Sequence, residues 1–194
     1  MAALLRFLLQ IVVLALPLTG NASADESAWS ALRSGDRVVF IRHAVTDSGV
    51  GDPEGFRLGD CGTQRNLSAQ GRADAKNIGE AFRSRNIPVA DVLSSRWCRC
   101  LDTANLAFGK VQPAAMLDSM FNDSARPAAE KIREVHAFMA RRSAAGNLIL
   151  VTHAQNIQAL TGVSPASGEI VVTTPEAGKD GKFKVLGRIA IAGR

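Results

Sequence analysis

The run Val38-Val39-Phe40-Ile41, closed by Arg42-His43-Ala44, constrains this chain more than any other stretch. Four consecutive apolar residues predict a strand buried on both faces, which needs a sheet covered by helices on both sides. In an open α/β sheet, ligands bind just beyond the carboxyl ends of the strands. Arg42 and His43 are delivered to that place, and Val45-Thr46-Asp47-Ser48-Gly49 opens a loop there. A fixed cation beside a nitrogen nucleophile points to phosphate chemistry.

The rest of the chain supplies the sheet. A short helix is predicted over Glu26 to Arg33, and the first strand over Arg37 to Arg42. Residues 45–66 form a long polar, Gly-rich loop, a length that usually carries function. A helix then opens with Ser68 as its N-cap, and Ala75, Ile78, Gly79 and Phe82 keep helical spacing. A second strand is predicted over Val89 to Ser95, a helix over Arg96 to Phe108 and a weaker strand over Ala114 to Met120. Ala128 to Arg142 is amphipathic, with Ile132, Val135, Phe138 and Met139 on one face. Asn147 to Thr152 is an apolar strand ending at His153, and a short helix runs from Gln155 to Leu160. Gly168 to Thr174 and Phe183 to Ile191 predict a terminal hairpin. Strands alternating with helices predict an α/β three-layer sandwich, a mostly parallel sheet with helices on both faces. Arg42-His43, Ser94-Ser95 and Thr152-His153 would then share one edge.

Residues 1–24 read as a secretory signal peptide. Arg6 is the charged start, Leu8 to Leu18 the apolar centre and Ala22-Ser23-Ala24 the small-x-small cleavage site. The apolar run is shorter than the ~20 residues that span a bilayer. No later stretch is long and apolar enough either. The expected mature domain is residues 25–194, periplasmic or secreted, with no integral membrane segment. The chain carries 23 basic and 18 acidic side chains, a net charge of +5. That balance favours anionic ligands. Few aromatics and no basic run argue against nucleic acid as the partner.

The three cysteines are Cys61, Cys98 and Cys100. In an oxidising compartment at most one pair forms. Cys98 and Cys100 are too close in sequence for an unstrained bridge. A bridge from Cys61 to either Cys98 or Cys100 is expected, pinning the long loop to the segment around Arg99. No paired C-x-x-C spacing exists for zinc.

Four motifs in order resemble the histidine phosphatase superfamily, the phosphoglycerate mutase-like proteins. Arg42-His43-Ala44 resembles its Arg-His-Gly signature, with alanine for glycine. Leu67-Ser68-Ala69-Gln70-Gly71 is similar to its Leu-Ser/Thr-x-x-Gly helix start. Ser94-Ser95-Arg96-Trp97-Cys98-Arg99, continuing to Asp102-Thr103-Ala104, is similar to its Ser-Ser-Pro-Leu-x-Arg block. Val151-Thr152-His153-Ala154 resembles its Val-Ser/Thr-His-Gly motif. The chain looks most like exported bacterial members, a group that includes lipopolysaccharide core heptose phosphate phosphatases.

The resemblance implies a phosphoric monoester hydrolase that needs no cofactor or metal. It makes His43 the nucleophile, Arg42 and Arg99 the clamp on the phosphoryl oxygens, and His153 a further donor. Arginine's planar fork suits that task. Thr46, three residues after His43, is a candidate phosphate donor. The acid that protonates the leaving oxygen lies between the second arginine and the second histidine in related enzymes. Asp123 is preferred there, with Asp118 and then Glu169 as alternatives, because Ala154 fills the other position a family acid can take. Arg57 and Arg65 read first as solvated loop charges and second as a widening of the basic pocket, and Arg96 first as a solvated helix-start arginine and second as a substrate contact. His136 reads as a partly exposed helix residue, and Trp97 first as packing and second as a substrate wall. The substrate expected is a small-molecule or envelope phosphoester. A mutase and a non-catalytic phosphate-binding relative are the competing readings.

Overall fold

The computed structural model describes residues 20–142 and 145–191. The leader expected over residues 1–24 lies outside them except for 20–24, which belong to the first helix. The elements in chain order are α1 (Gly20–Arg33), β1 (Val38–Arg42), α2 (Ala69–Ser84), β2 (Val89–Ser94), α3 (Cys98–Phe108) and β3 (Gln112–Pro113). They continue with α4 (Ala125–Arg141), β4 (Asn147–Thr152), α5 (Ala154–Thr161), β5 (Ile170–Ala177) and β6 (Phe183–Ile189). The strands form one sheet in the order β3-β2-β4-β1-β5-β6. β1, β2, β3 and β4 pair in parallel, whereas β5 pairs antiparallel with both β1 and β6.

Alternation along the strands builds two cores. Val39 and Ile41 of β1, Ile149 and Val151 of β4, and Ile170 and Val172 of β5 face α1, α2 and α3. Val38 and Phe40, Leu148 and Leu150, and Val171 face α4 and α5. Each strand therefore reads as an unbroken apolar run, since both of its faces are covered. Gly79 lets α2 and α3 touch, because a Cβ there would lie 2.0 Å from the carbonyl oxygen of Ala107.

Several expectations need correction. The strand expected over Ala114 to Met120 is only a two-residue pairing at Gln112–Pro113, followed by a 3-10 turn over Ala115–Leu117. Its apolar residues are buried by the turn, with Met116 and Leu117 packed on the α4–α5 side, and Pro113 offers the sheet no N–H. The fourth helix begins at Ala125 rather than Ala128. Pro127 sits in its first turn, where a missing N–H costs nothing. The third helix starts at Cys98 rather than Arg96, and the first reaches back to Gly20. Ser68 caps α2 as expected, accepting the Gly71 N–H.

Candidate active site

Sheet register sets three strand ends level. Arg42 pairs with Thr152, and Ser94 with Val151. The His43 N–H donates to the Thr152 carbonyl at 3.0 Å, and Ser95 N–H to Val151 at 2.9 Å. The sheet thus brings His43, Ser95 and His153 to one edge, beneath a cavity of about 580 Å³. Arg42, His43, Arg99, His153 and Asp123, five of the residues singled out from the sequence, line it.

His43 is 4% exposed. Its Nδ1 lies 2.9 Å from the Ala44 carbonyl oxygen. A carbonyl only accepts, so Nδ1 carries the proton and the Nε2 lone pair is free. Burial, followed by the charges of Arg99, Arg42 and Arg65, lowers its pKa to about 3 against the lifting effect of the Ala44 bond. The ring is neutral across the physiological range. The loop that carries it is fixed to α3: the Ala44 N–H donates to Thr103 Oγ1, whose hydroxyl donates to the Arg99 carbonyl.

His153 caps α5 and stands edge-on to His43, with ring centroids 5.5 Å apart. Its Nε2 is 2.9 Å from Ser95 Oγ. The serine oxygen also lies 3.4 Å from Asp118, but that carboxylate already accepts three N–H groups of Arg96. Burial, then competition with His43 for a proton and the positive charges of Arg99, Lys131 and Arg42, holds His153 well below its ordinary pKa.

The arginines are arranged differently from the expectation. Arg99 donates from both terminal nitrogens to Asp52, at 2.7 and 3.2 Å. Asp52 also accepts Trp97 Nε1 at 2.9 Å and the Arg65 backbone N–H at 3.0 Å. Burial would raise its pKa, but the Arg99, Arg65 and Trp97 bonds more than offset this and keep it ionised. Arg65, expected to be solvated, lines the cavity and donates to Thr46 Oγ1 and the Gly49 carbonyl, both at 2.8 Å. Thr46 therefore holds an arginine and is not part of the cavity wall. Arg42 donates to the Pro165 carbonyl at 3.0 Å. The Nε atoms of Arg42, Arg65 and Arg99 are all buried without a partner.

The loop that carries Asp52 and Arg65 is held at four points. Cys61 is bonded to Cys98 at the start of α3, which selects that partner over Cys100. Gln64 Oε1 accepts the Cys98 N–H at 3.0 Å. Asp52 and Arg65 supply the other two anchors. Cys100 is buried, and burial pushes its thiol pKa up to about 12.

Among the acid candidates, Asp123 lines the cavity and pairs with Lys131 at 2.6 Å. Asp118 is buried beneath it and bound by Arg96, so that arginine is an ion-pair partner rather than a solvated charge. Glu169 lies away from the cavity, bound to Arg188 and the Ala166 N–H. Arg57 is exposed and pairs with Asp60. His136 stacks on Phe183 at 5.5 Å. Trp97 lines the cavity.

Residues 38–123 match the sequence model of the histidine phosphatase superfamily, branch 1. The matched stretch is 86 of the 194 residues and is similar to that family. The match includes Arg42, His43, Arg65 and Arg99 and stops before His153. No curated protein matches the sequence. Solved structures with the same fold superpose over most of the chain. A proposed phosphohistidine phosphatase SixA from Agrobacterium tumefaciens is 20% identical, with 80% of this chain and 98% of that one covered at a TM-score of 0.52. The protein histidine phosphatase SixA complexed with tungstate is 11% identical, covering 79% and 96%, at 0.55. A proposed alpha-ribazole-5'-P phosphatase from Escherichia coli is 18% identical, covering 80% and 98%, at 0.58. At such identities the likeness is one of fold. It agrees with the phosphoglycerate mutase-like architecture expected from the motifs.

Proposed function

We propose that the chain is a metal-independent phosphomonoesterase that works through a phosphohistidine on His43. One observation carries this reading: His43 Nδ1 is fixed on the Ala44 carbonyl, so a neutral ring aims a free Nε2 lone pair into an arginine-lined cavity. That lone pair attacks phosphorus and the P–O bond to the alcohol breaks. Asp123 is the acid assigned to give the departing oxygen its proton. Water then gives a proton to the Asp123 carboxylate and attacks phosphorus, the P–N bond breaks and the electron pair returns to Nε2. Arg42, Arg99 and His153 hold the phosphoryl oxygens as charge moves across them. Before Arg99 can offer both terminal nitrogens, a phosphate must displace the carboxylate of Asp52.

Export through the leader of residues 1–24 is part of the proposal, which places the substrate in the periplasm or outside the cell. The resemblance to exported members makes an envelope phosphoester, a lipopolysaccharide core phosphate among them, a substrate to test. Phosphate release from p-nitrophenyl phosphate and a panel of sugar phosphates, in the presence of a chelator, tests the activity. The absence of release from every ester would sink it.

A non-catalytic anion-binding role is the second reading. Two ion pairs favour it: Asp123 with Lys131, and Asp52 with Arg99. Each occupies a group that catalysis needs free. Phosphate binding without turnover would select it.

A further inference from the structure

The polar floor of the cavity is matched by an apolar wall above it. A row of four rings leads outward from the nucleophile. His43 and His153 stand 5.5 Å apart, His153 and Trp97 5.6 Å, and Trp97 and Phe56 5.7 Å. Trp97 opens α3, and its Nε1 donates to Asp52 at 2.9 Å. Phe121 projects into the mouth from another direction, and a Cβ on Gly51 would lie 3.8 Å from its ring. Among the described residues only Val45, Val50 and Phe121 are large, apolar and exposed. Val50 and Phe121 both line this cavity. Exposed apolar side chains gathered at the mouth of a basic cavity are a ligand contact wanting its partner.

Resting on the phosphatase reading, we propose that the preferred substrate is a phosphomonoester whose alcohol carries a flat aromatic ring, held between the Phe56–Trp97 wall and Phe121. Rings meet at 4.5–7 Å, so a ligand ring near Trp97 extends the existing row rather than disrupting it. A phosphoryl group on the His43 side fixes one end. The ring fixes the other and orients the ester oxygen between them.

Phosphonates separate binding from chemistry, since their P–C bond cannot be hydrolysed. Methylphosphonate, cyclohexylmethylphosphonate and benzylphosphonate are titrated calorimetrically into wild-type protein, Phe121→Ala and Phe56→Ala. Benzylphosphonate binds wild type about threefold to tenfold more tightly than methylphosphonate, the worth of one or two ring contacts. Cyclohexylmethylphosphonate falls between them. The benzyl preference shrinks in both variants. Equal affinities for the three probes in wild type overturn the proposal, and so does a cyclohexyl probe that binds as tightly as the benzyl one. If no phosphonate and no inorganic phosphate binds, the phosphate site itself fails, which is a different result from losing the ring preference alone.

Discussion

Asp52 and Arg99 form a two-pronged ion pair in the floor of the cavity, with Arg99 Nη1 2.7 Å from Oδ1 and Nη2 3.2 Å from Oδ2. The side chains are 8% and 5% exposed. A carboxylate bound this way makes the contacts that two phosphate oxygens would make. Asp52→Asn keeps the shape and removes the competing charge. Inorganic phosphate should bind the variant about tenfold more tightly, the scale of one charge-assisted hydrogen bond. Weaker binding would show instead that Asp52 orients Arg99 for its ligand.

The proton donor is tested by leaving-group dependence. Asp123→Asn should lower kcat for alkyl phosphates by about a hundredfold, the lower end of what a general acid contributes. It should hardly change kcat for p-nitrophenyl phosphate, whose leaving group needs no proton. Equal losses on both esters would remove Asp123 from that role.

Much of this site was legible because strand ends are legible. Val38–Ile41 and Asn147–Thr152 are apolar runs that end abruptly at Arg42-His43 and at His153, and parallel register does the rest. Arg99 was found through its motif. Asp52 is not legible as a site residue and Arg65 only as the lesser of two readings, because they lie in a loop without periodicity. Their positions depend on contacts distant in sequence, Asp52 with Arg99 and Cys61 with Cys98. A long loop containing both a cysteine and several charges was the available signal. The strand expected over Ala114 to Met120 failed for a related reason: short apolar runs look alike until packing chooses between a strand and a tight turn.

Acid should weaken the fold through its two buried histidines. The pKa of His43 drops from 6.5 in the unfolded chain to about 3, and that of His153 drops too. Above pH 6.5 both rings are neutral in either state and nothing is lost. Below it the unfolded chain takes up protons that the folded one refuses, so stability falls as pH drops from about 6.5 toward 3. Urea midpoints across this range should show the decline, and His43→Gln should make it shallower. A midpoint independent of pH there would contradict the buried neutral pair.

The Cys61–Cys98 bridge closes a loop over a sequence separation of 37. Replacing both cysteines with serine should cost about 2–4 kcal/mol of stability by freeing the unfolded chain. It should also loosen the segment that places Asp52 and Arg65. Thiol titration in denaturant without reductant should find one thiol, Cys100; three would show that the bridge is absent.

Trapping the phosphoenzyme tests the proposed chemistry most directly. Protein mixed with an intact phosphoester that it hydrolyses is quenched in base, where phosphohistidine survives, and the peptide containing His43 is examined by mass spectrometry. The phosphoryl group should be found on His43, and His43→Asn should show neither the adduct nor turnover. Turnover that persists in His43→Asn, or a wild-type enzyme that turns over with no adduct on that peptide, would contradict the assignment of His43 as nucleophile.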